Sequence, residues 1–239
     1  MLERLTRIDR RLAVTGFVLL TSSLLLIAGL ISIIVAVNDD NVDLPQEGSL
    51  QEILQEHEPA PATDPPQVSE PDAPDPVRLG IPRIGVDAPI LAMGLDSRNY
   101  PEVPNTGADV AWYTFSAPPG GGSNAVMSGH VDWLLGDDPV EGVFYHLREL
   151  QIGDQISLDR EDGSQLRYIV TGNVAVRYND PNVGNVMGST SKDVITLITC
   201  GGTWQSDYSN STGGNYSHRV IVRAERALDL TWGQAGGEG

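Results

Sequence analysis

A mainly β domain carried behind one membrane-spanning helix is the architecture that this sequence predicts. Three observations predict it. Leu12–Val37 runs for 26 residues without a charge. An acidic, proline-rich stretch follows. Beyond it, short apolar runs broken by Gly and Pro outnumber helical periodicities.

The apolar run is long enough, as a helix rising 1.5 Å per residue, to cross a hydrocarbon core roughly 30 Å thick with some tilt. Arg4, Arg7, Arg10 and Arg11 precede it against only Glu3 and Asp9, and no Lys or Arg follows until Arg78. This asymmetry predicts that residues 1–11 are cytoplasmic and that the chain beyond the helix is extracellular. A cleaved signal peptide would carry an apolar region of about 7–15 residues and a small-residue cleavage site. Ala36-Val37-Asn38 is a poor one, so residues 12–37 are expected to be an uncleaved transmembrane signal anchor in the cell membrane.

Residues 38–77 read as a stem. From Asp39 onward they hold eleven acidic residues, eight prolines and no basic residue. Such a segment cannot bury enough apolar surface to fold alone, and its prolines and self-repulsion keep it extended as a spacer. Ser49 to His57 reads as a short helix within it.

Residues 78–230 are enough for one domain with a real core, followed by a disordered tail at 231–239. The full chain carries a net charge of −17. An acidic exterior domain argues against nucleic acid or anionic lipid as a partner. Arg78–Pro82 and Val86–Met93 read as short strands. Asp154–Leu158 alternates, Glu161–Ser164 supplies a turn, and Gln165–Val176 returns, which predicts a hairpin. Val194–Thr199 is apolar on both faces and reads as a buried central strand. Between these lie three irregular stretches: Ser116–Ser123, Arg177–Asp193 and Gly201–His218. The pattern favours a closed barrel over a sandwich only weakly.

The chain has one cysteine, Cys200, so no internal disulfide is available. It ends the run Val194-Ile195-Thr196-Leu197-Ile198-Thr199-Cys200. His130 ends a second apolar run, Ala125-Val126-Met127-Ser128-Gly129-His130, and Arg219 opens Arg219-Val220-Ile221-Val222-Arg223. A thiol, an imidazole and a guanidinium at strand edges are the parts of a thiol acyl-transfer site. If the cysteine strand and the final strand pair antiparallel, Arg219 falls beside Cys200, while Arg223 lies roughly 13 Å further along. Arg223→Lys is therefore expected to be nearly neutral. His57 lies in the stem, His146 reads as a surface or packing residue, and His218 points to the face opposite its neighbour Arg219.

These motifs resemble those of the sortases, the cysteine transpeptidases of bacterial cell surfaces. Thr196-Leu197-Ile198-Thr199-Cys200 matches the TLxTC signature, and Ser128-Gly129-His130 and Arg219 match the family's other catalytic positions in order. Cys200-Gly201-Gly202-Thr203-Trp204 and Tyr216-Ser217-His218-Arg219-Val220 look most like class F, with class E the alternative. The resemblance implies a closed eight-stranded β-barrel with short helices over nearly all of Arg78–Ala227.

It further implies a membrane-anchored enzyme with Cys200, His130 and Arg219 as catalytic residues. Such an enzyme would cleave a C-terminal sorting signal of LPxTG type through a Cys200 thioester, with no cofactor and no metal. The acyl group would pass to an amine acceptor of the cell envelope, such as a peptidoglycan precursor, so the partners are surface proteins bearing that signal. Thr199 is expected to support substrate or oxyanion, and Val183, Val186 and Met187 to supply apolar substrate contacts. An imidazolium and Arg219 near the thiol are expected to raise its thiolate population. Asp132 is a possible orienting partner for His130. Two competing readings remain: a tethered β-domain that only binds peptide, with Cys200 structural, and an L,D-transpeptidase-like wall enzyme. The cysteine motif typical of the latter, SHGC, is absent.

Overall fold

Strands are the main regular elements of the described residues, which in this computed structural model are 44–45, 50–55, 75–135, 138–206 and 213–227. The expected membrane span at 12–37, its cytoplasmic flank, most of the stem and the 231–239 tail lie outside these residues. Among the described residues no helix is long and apolar enough to cross a membrane.

The elements are helix α1 (Leu50–Gln55) and strands β1 (Pro76–Ile81), β2 (Val86–Met93), β3 (Val110–Tyr113), β4 (Asn124–Ser128), β5 (Asp132–Leu135), β6 (Asp138–Glu141), β7 (Gln155–Arg160), β8 (Gln165–Arg177), β9 (Val194–Ser206) and β10 (Gly214–Arg226). Eight of them close a barrel in the order β1-β2-β3-β4-β9-β10-β8-β7, while β5 and β6 form a separate hairpin. The expected closed eight-stranded barrel is therefore present. So is the predicted hairpin: β7 and β8 pair antiparallel from Gln155↔Ile169 to Asp159↔Gln165.

Alternation along the strands builds two apolar layers. Every barrel strand sends residues into one cluster, among them Leu79, Ile90, Trp112, Met127, Leu158, Tyr168, Leu197 and Val222, so this cluster fills the interior. The neighbouring residues Ala111, Val126, Ile198 and Ile221 point the other way into a second cluster, on the outer face of β3, β4, β9 and β10. A strand such as β9, with apolar residues on both faces, is central because both faces are covered.

The cover on the outer face comes from two sources. One is the 3₁₀ turn Val183–Met187 in the loop between β8 and β9. The other is α1, whose Leu50 and Ile53 are 6% and 4% exposed. A six-residue helix is not stable alone. Burying two such side chains contributes about 3–6 kcal/mol gross, which is what holds this segment helical. Part of the expected stem is thus packed against the barrel: α1 falls within Ser49–His57, Leu44 packs against the interior cluster, and β1 begins at Pro76.

One sequence expectation needs correction. Gly201–His218 read as a long irregular loop, yet β9 continues to Ser206 and β10 begins at Gly214. Backbone pairing does not require apolar side chains, and Trp204↔Tyr216 and Ser206↔Gly214 extend the ladder with polar and aromatic residues.

Candidate active site

The two central strands put a thiol and a guanidinium side by side. β9 and β10 pair antiparallel with Arg219 directly across from Cys200, as the strand argument expected, while Arg223 pairs with Thr196 four residues further along the ladder. Cys200 follows the alternation of Ile198, and Arg219 that of Ile221, so both fall on the outer face.

The histidine arrives from the other side of β9. β4 runs parallel to it, with Ser128 paired to Ile198. Beyond that pair the two strands stay tied: the Gly129 N–H donates to the Ile198 carbonyl at 3.2 Å, and the Thr199 hydroxyl donates to the Gly129 carbonyl at 2.8 Å. Continuing the parallel register carries His130 alongside Cys200. Gly129 is required there, because a Cβ at this position would sit 2.6 Å from Val143 and 2.8 Å from the Phe144 ring.

Cys200, His130 and Arg219 line one cleft of about 690 Å³, together with Tyr100, Val103, Trp133, Met187, Trp204 and Tyr216. Its position at the ends of core strands, with the loop between β8 and β9 beside it, suits an extended ligand. The imidazole is held by the Pro104 carbonyl, 2.9 Å from Nε2, and by the Trp133 ring at 4.6 Å. A carbonyl only accepts, so Nε2 carries the proton and Nδ1 is the basic nitrogen of the neutral ring. The Arg219 guanidinium is oriented by the carbonyls of Tyr216 (3.3 Å) and His218 (2.9 Å) and by the Asn215 side-chain oxygen (2.9 Å). Its central carbon lies 5.8 Å from the Tyr178 ring centre.

The thiol is not poised as the sequence suggested. Burial pushes the Cys200 pKa up, Arg219 pulls it down, and the Asp132 carboxylate pushes it up again. Burial dominates, so the resting thiol is protonated near neutral pH, and the expected gain in thiolate from neighbouring positive charge is outweighed. Asp132 does not orient the histidine. It accepts a hydrogen bond from the Tyr216 hydroxyl, which joins the β5–β6 hairpin to β10 across the cleft.

A prediction follows from these signs. Because the thiol pKa is raised, alkylation of Cys200 accelerates as pH rises through and above the ordinary thiol range. Asp132→Asn removes a charge that opposes thiolate but keeps an acceptor for Tyr216, so the alkylation-rate profile moves to lower pH. Rates measured with iodoacetamide across pH test this; a profile that stays put or moves upward rejects the electrostatic account.

Of the remaining sequence candidates, Met187 lines the cleft. Val183 and Val186 do not: both belong to the outer apolar layer, where Val186 is 1% exposed. Their apolar character serves packing of the turn rather than contact with a ligand. Thr199 lines the cleft, but its hydroxyl proton is engaged by Gly129. His218 is buried beside Ser217, whose hydroxyl is 2.8 Å from Nδ1, away from the cleft. His146 lies at the surface between Glu141 and Glu149. Arg223 is fully buried and does not line the cleft. Sequence reasoning overlooked Trp133, Tyr216 and Trp204; their proximity in sequence to His130, Arg219 and Cys200 was the available sign. Among the described residues no group of three or more His, Cys, Asp or Glu side chains is arranged to hold a metal.

Residues 79–227 match the family model of the Sortase domain. Among curated proteins the chain has no significant match. Solved structures similar to it include sortase C-1 from Actinomyces oris, at 29% identity and a TM-score of 0.45, covering 64% of this chain and 74% of that one. Sortase A from Corynebacterium diphtheriae matches at 26% identity and a TM-score of 0.44, covering 67% of this chain and 64% of that one. Sortases are cysteine transpeptidases, and the domain match spans well over half of the present sequence with Cys200, His130 and Arg219 inside it. The chain belongs to the sortase family.

Proposed function

We propose that this protein is a membrane-anchored sortase, most like class F, that cleaves an LPxTG-type C-terminal sorting signal outside the cell. The observation that carries the reading is the convergence of the chain's one thiol with His130 and Arg219 in a single cleft of a sortase domain. In this reading the Cys200 thiolate, a minority species in the resting site, adds to the scissile carbonyl carbon. Arg219 steadies the charge on the carbonyl oxygen with a pre-set fork of donors. The carbon–nitrogen bond breaks, His130 in its imidazolium form gives a proton to the departing amine and becomes neutral, and a Cys200 thioester remains. An amine of the cell envelope, such as that of a peptidoglycan precursor, then attacks the thioester and gives its proton to His130. A new amide forms and the thiolate is regenerated.

Anchoring by residues 12–37 rests on their apolarity and flanking charge, and it places the catalytic domain outside the membrane, near surface proteins that carry sorting signals. Protease added to intact cells should digest everything beyond the anchor; mature protein found free in the medium and starting near Asn38 contradicts this.

The substrate assignment is tested by incubating the full-length chain with LPxTG-like and LAxTG-like peptides plus a small amine. The reading predicts cleavage within the motif and an acyl–amine product. Cleavage of peptidoglycan stem peptides alone would favour the L,D-transpeptidase-like reading, and peptide binding without product would favour a non-catalytic binding domain. Within the sortases, preference for LAxTG-like signals would favour class E over class F.

A further inference from the structure

Arg223 has no part in the chemistry proposed above, yet it is the largest fully buried side chain among the described residues. Four residues along β10 from Arg219, it shares that residue's outward alternation and lies under the turn Val183–Met187. Its Nη2 donates to the Val186 carbonyl at 2.9 Å, while its Nε is a buried donor with no hydrogen-bond partner. Burial pushes its pKa down to about 10, so the group is still a cation near neutral pH. A buried cation with an orphaned donor is costly, and an apolar residue of similar volume would fill the same space at less cost.

A second buried side chain aims at the same acceptor. Asn124 donates to the Val186 carbonyl at 2.8 Å and to the Gly188 carbonyl at 2.9 Å, and its own oxygen accepts from the Thr196 hydroxyl at 2.7 Å. Val186 is therefore held twice, by its carbonyl from two polar donors and by its side chain in the outer apolar layer. The next residue is Met187, which lines the cleft with Cys200. An unbranched Met side chain adapts its shape readily, so where it stands depends on the backbone beneath it.

We infer that Arg223 and Asn124 are positioning residues that set the Met187 wall of the substrate cleft by fixing the Val186 carbonyl. The inference rests on the peptide-cleaving reading above. It assigns a substrate-affinity role to a buried polar cluster that touches neither the thiol nor the imidazole.

The test uses the full-length chain with Arg223→Met, Asn124→Ala and Arg223→Lys. Three quantities are compared: KM and kcat for a sorting peptide, the Cys200 alkylation rate, and hydrogen exchange at the Asn185 and Gly188 amides. Both amides are bonded within the turn. Losing one tether hydrogen bond corresponds to about a two- to tenfold change. KM for Arg223→Met and Asn124→Ala should rise by about that factor, exchange at the two amides should quicken similarly, and kcat and alkylation should hold. Arg223→Lys keeps a charged donor and should recover part of the loss.

Arg223→Met also removes the buried charge, so its melting temperature should not fall. Unchanged KM and unchanged exchange would overturn the inference. So would a fall in kcat that tracks a lower melting temperature, which would mean a general stability role. If the wild type cleaved no sorting peptide, the enzymatic reading would fail separately, and amide exchange alone would decide whether the cluster holds the turn.

Discussion

Cys200→Ala should fold normally and lose peptide cleavage down to background. The thiol is the only one in the chain, so no second cysteine can take its place. It lies within a well-packed pair of strands that does not depend on the sulfur: neighbouring Ile198 and Val220 remain in their layers. The variant should bind sorting peptide about as tightly as the wild type while forming no thioester. Turnover above background in this variant would refute covalent catalysis by Cys200.

Arg219→Lys should fall by about 100- to 1000-fold in single-turnover acylation, the usual cost of removing one oxyanion donor. Lys keeps the charge but not the planar fork. Three acceptors, the carbonyls of Tyr216 and His218 and the Asn215 side chain, hold that fork in its orientation, and a single ammonium cannot satisfy them in the same geometry. His218→Ala, one residue away but outside the cleft, should stay within about tenfold because it removes no group that meets the reacting atoms. Equal losses in the two variants would mean that the β9–β10 register has been assigned the wrong function.

The parts of the fold legible in the sequence were those governed by short-range pattern. The β7–β8 hairpin follows from an alternating run, a Glu-Asp-Gly-Ser turn and a return run, and β9 follows from apolar residues on both of its faces. Antiparallel pairing of β9 with β10 puts Arg219 opposite Cys200 from strand spacing alone. Closure of the barrel was less legible in pattern and entered through the family resemblance.

What escaped depended on side-chain partners distant in sequence. Val186 looked like a ligand contact because it is apolar and lies in a loop, but it is buried in the outer apolar cluster that also holds Ile198 and Ile221. Asp132 looked like a partner for His130 by proximity in sequence, whereas the Tyr216 hydroxyl, on another strand, takes its carboxylate. Arg219 does favour the thiolate, as the motif suggested, but the net shift depends on burial. Nearby positive charge can be read from motifs, but the depth of burial that outweighs it cannot. The extension of β9 and β10 beyond the site was hidden because Gly, Ser and Asn signal a loop locally, while their backbones pair all the same.

The most direct test of the account is the intact mass of the full-length chain, quenched in acid during turnover of an LPxTG-like peptide. The account predicts a chain heavier by the acyl fragment on the amino-terminal side of the cut, with the addition mapped to Cys200 and removed by hydroxylamine. Cleavage that proceeds with no such adduct at any quench time, or with the adduct on another residue, would contradict it.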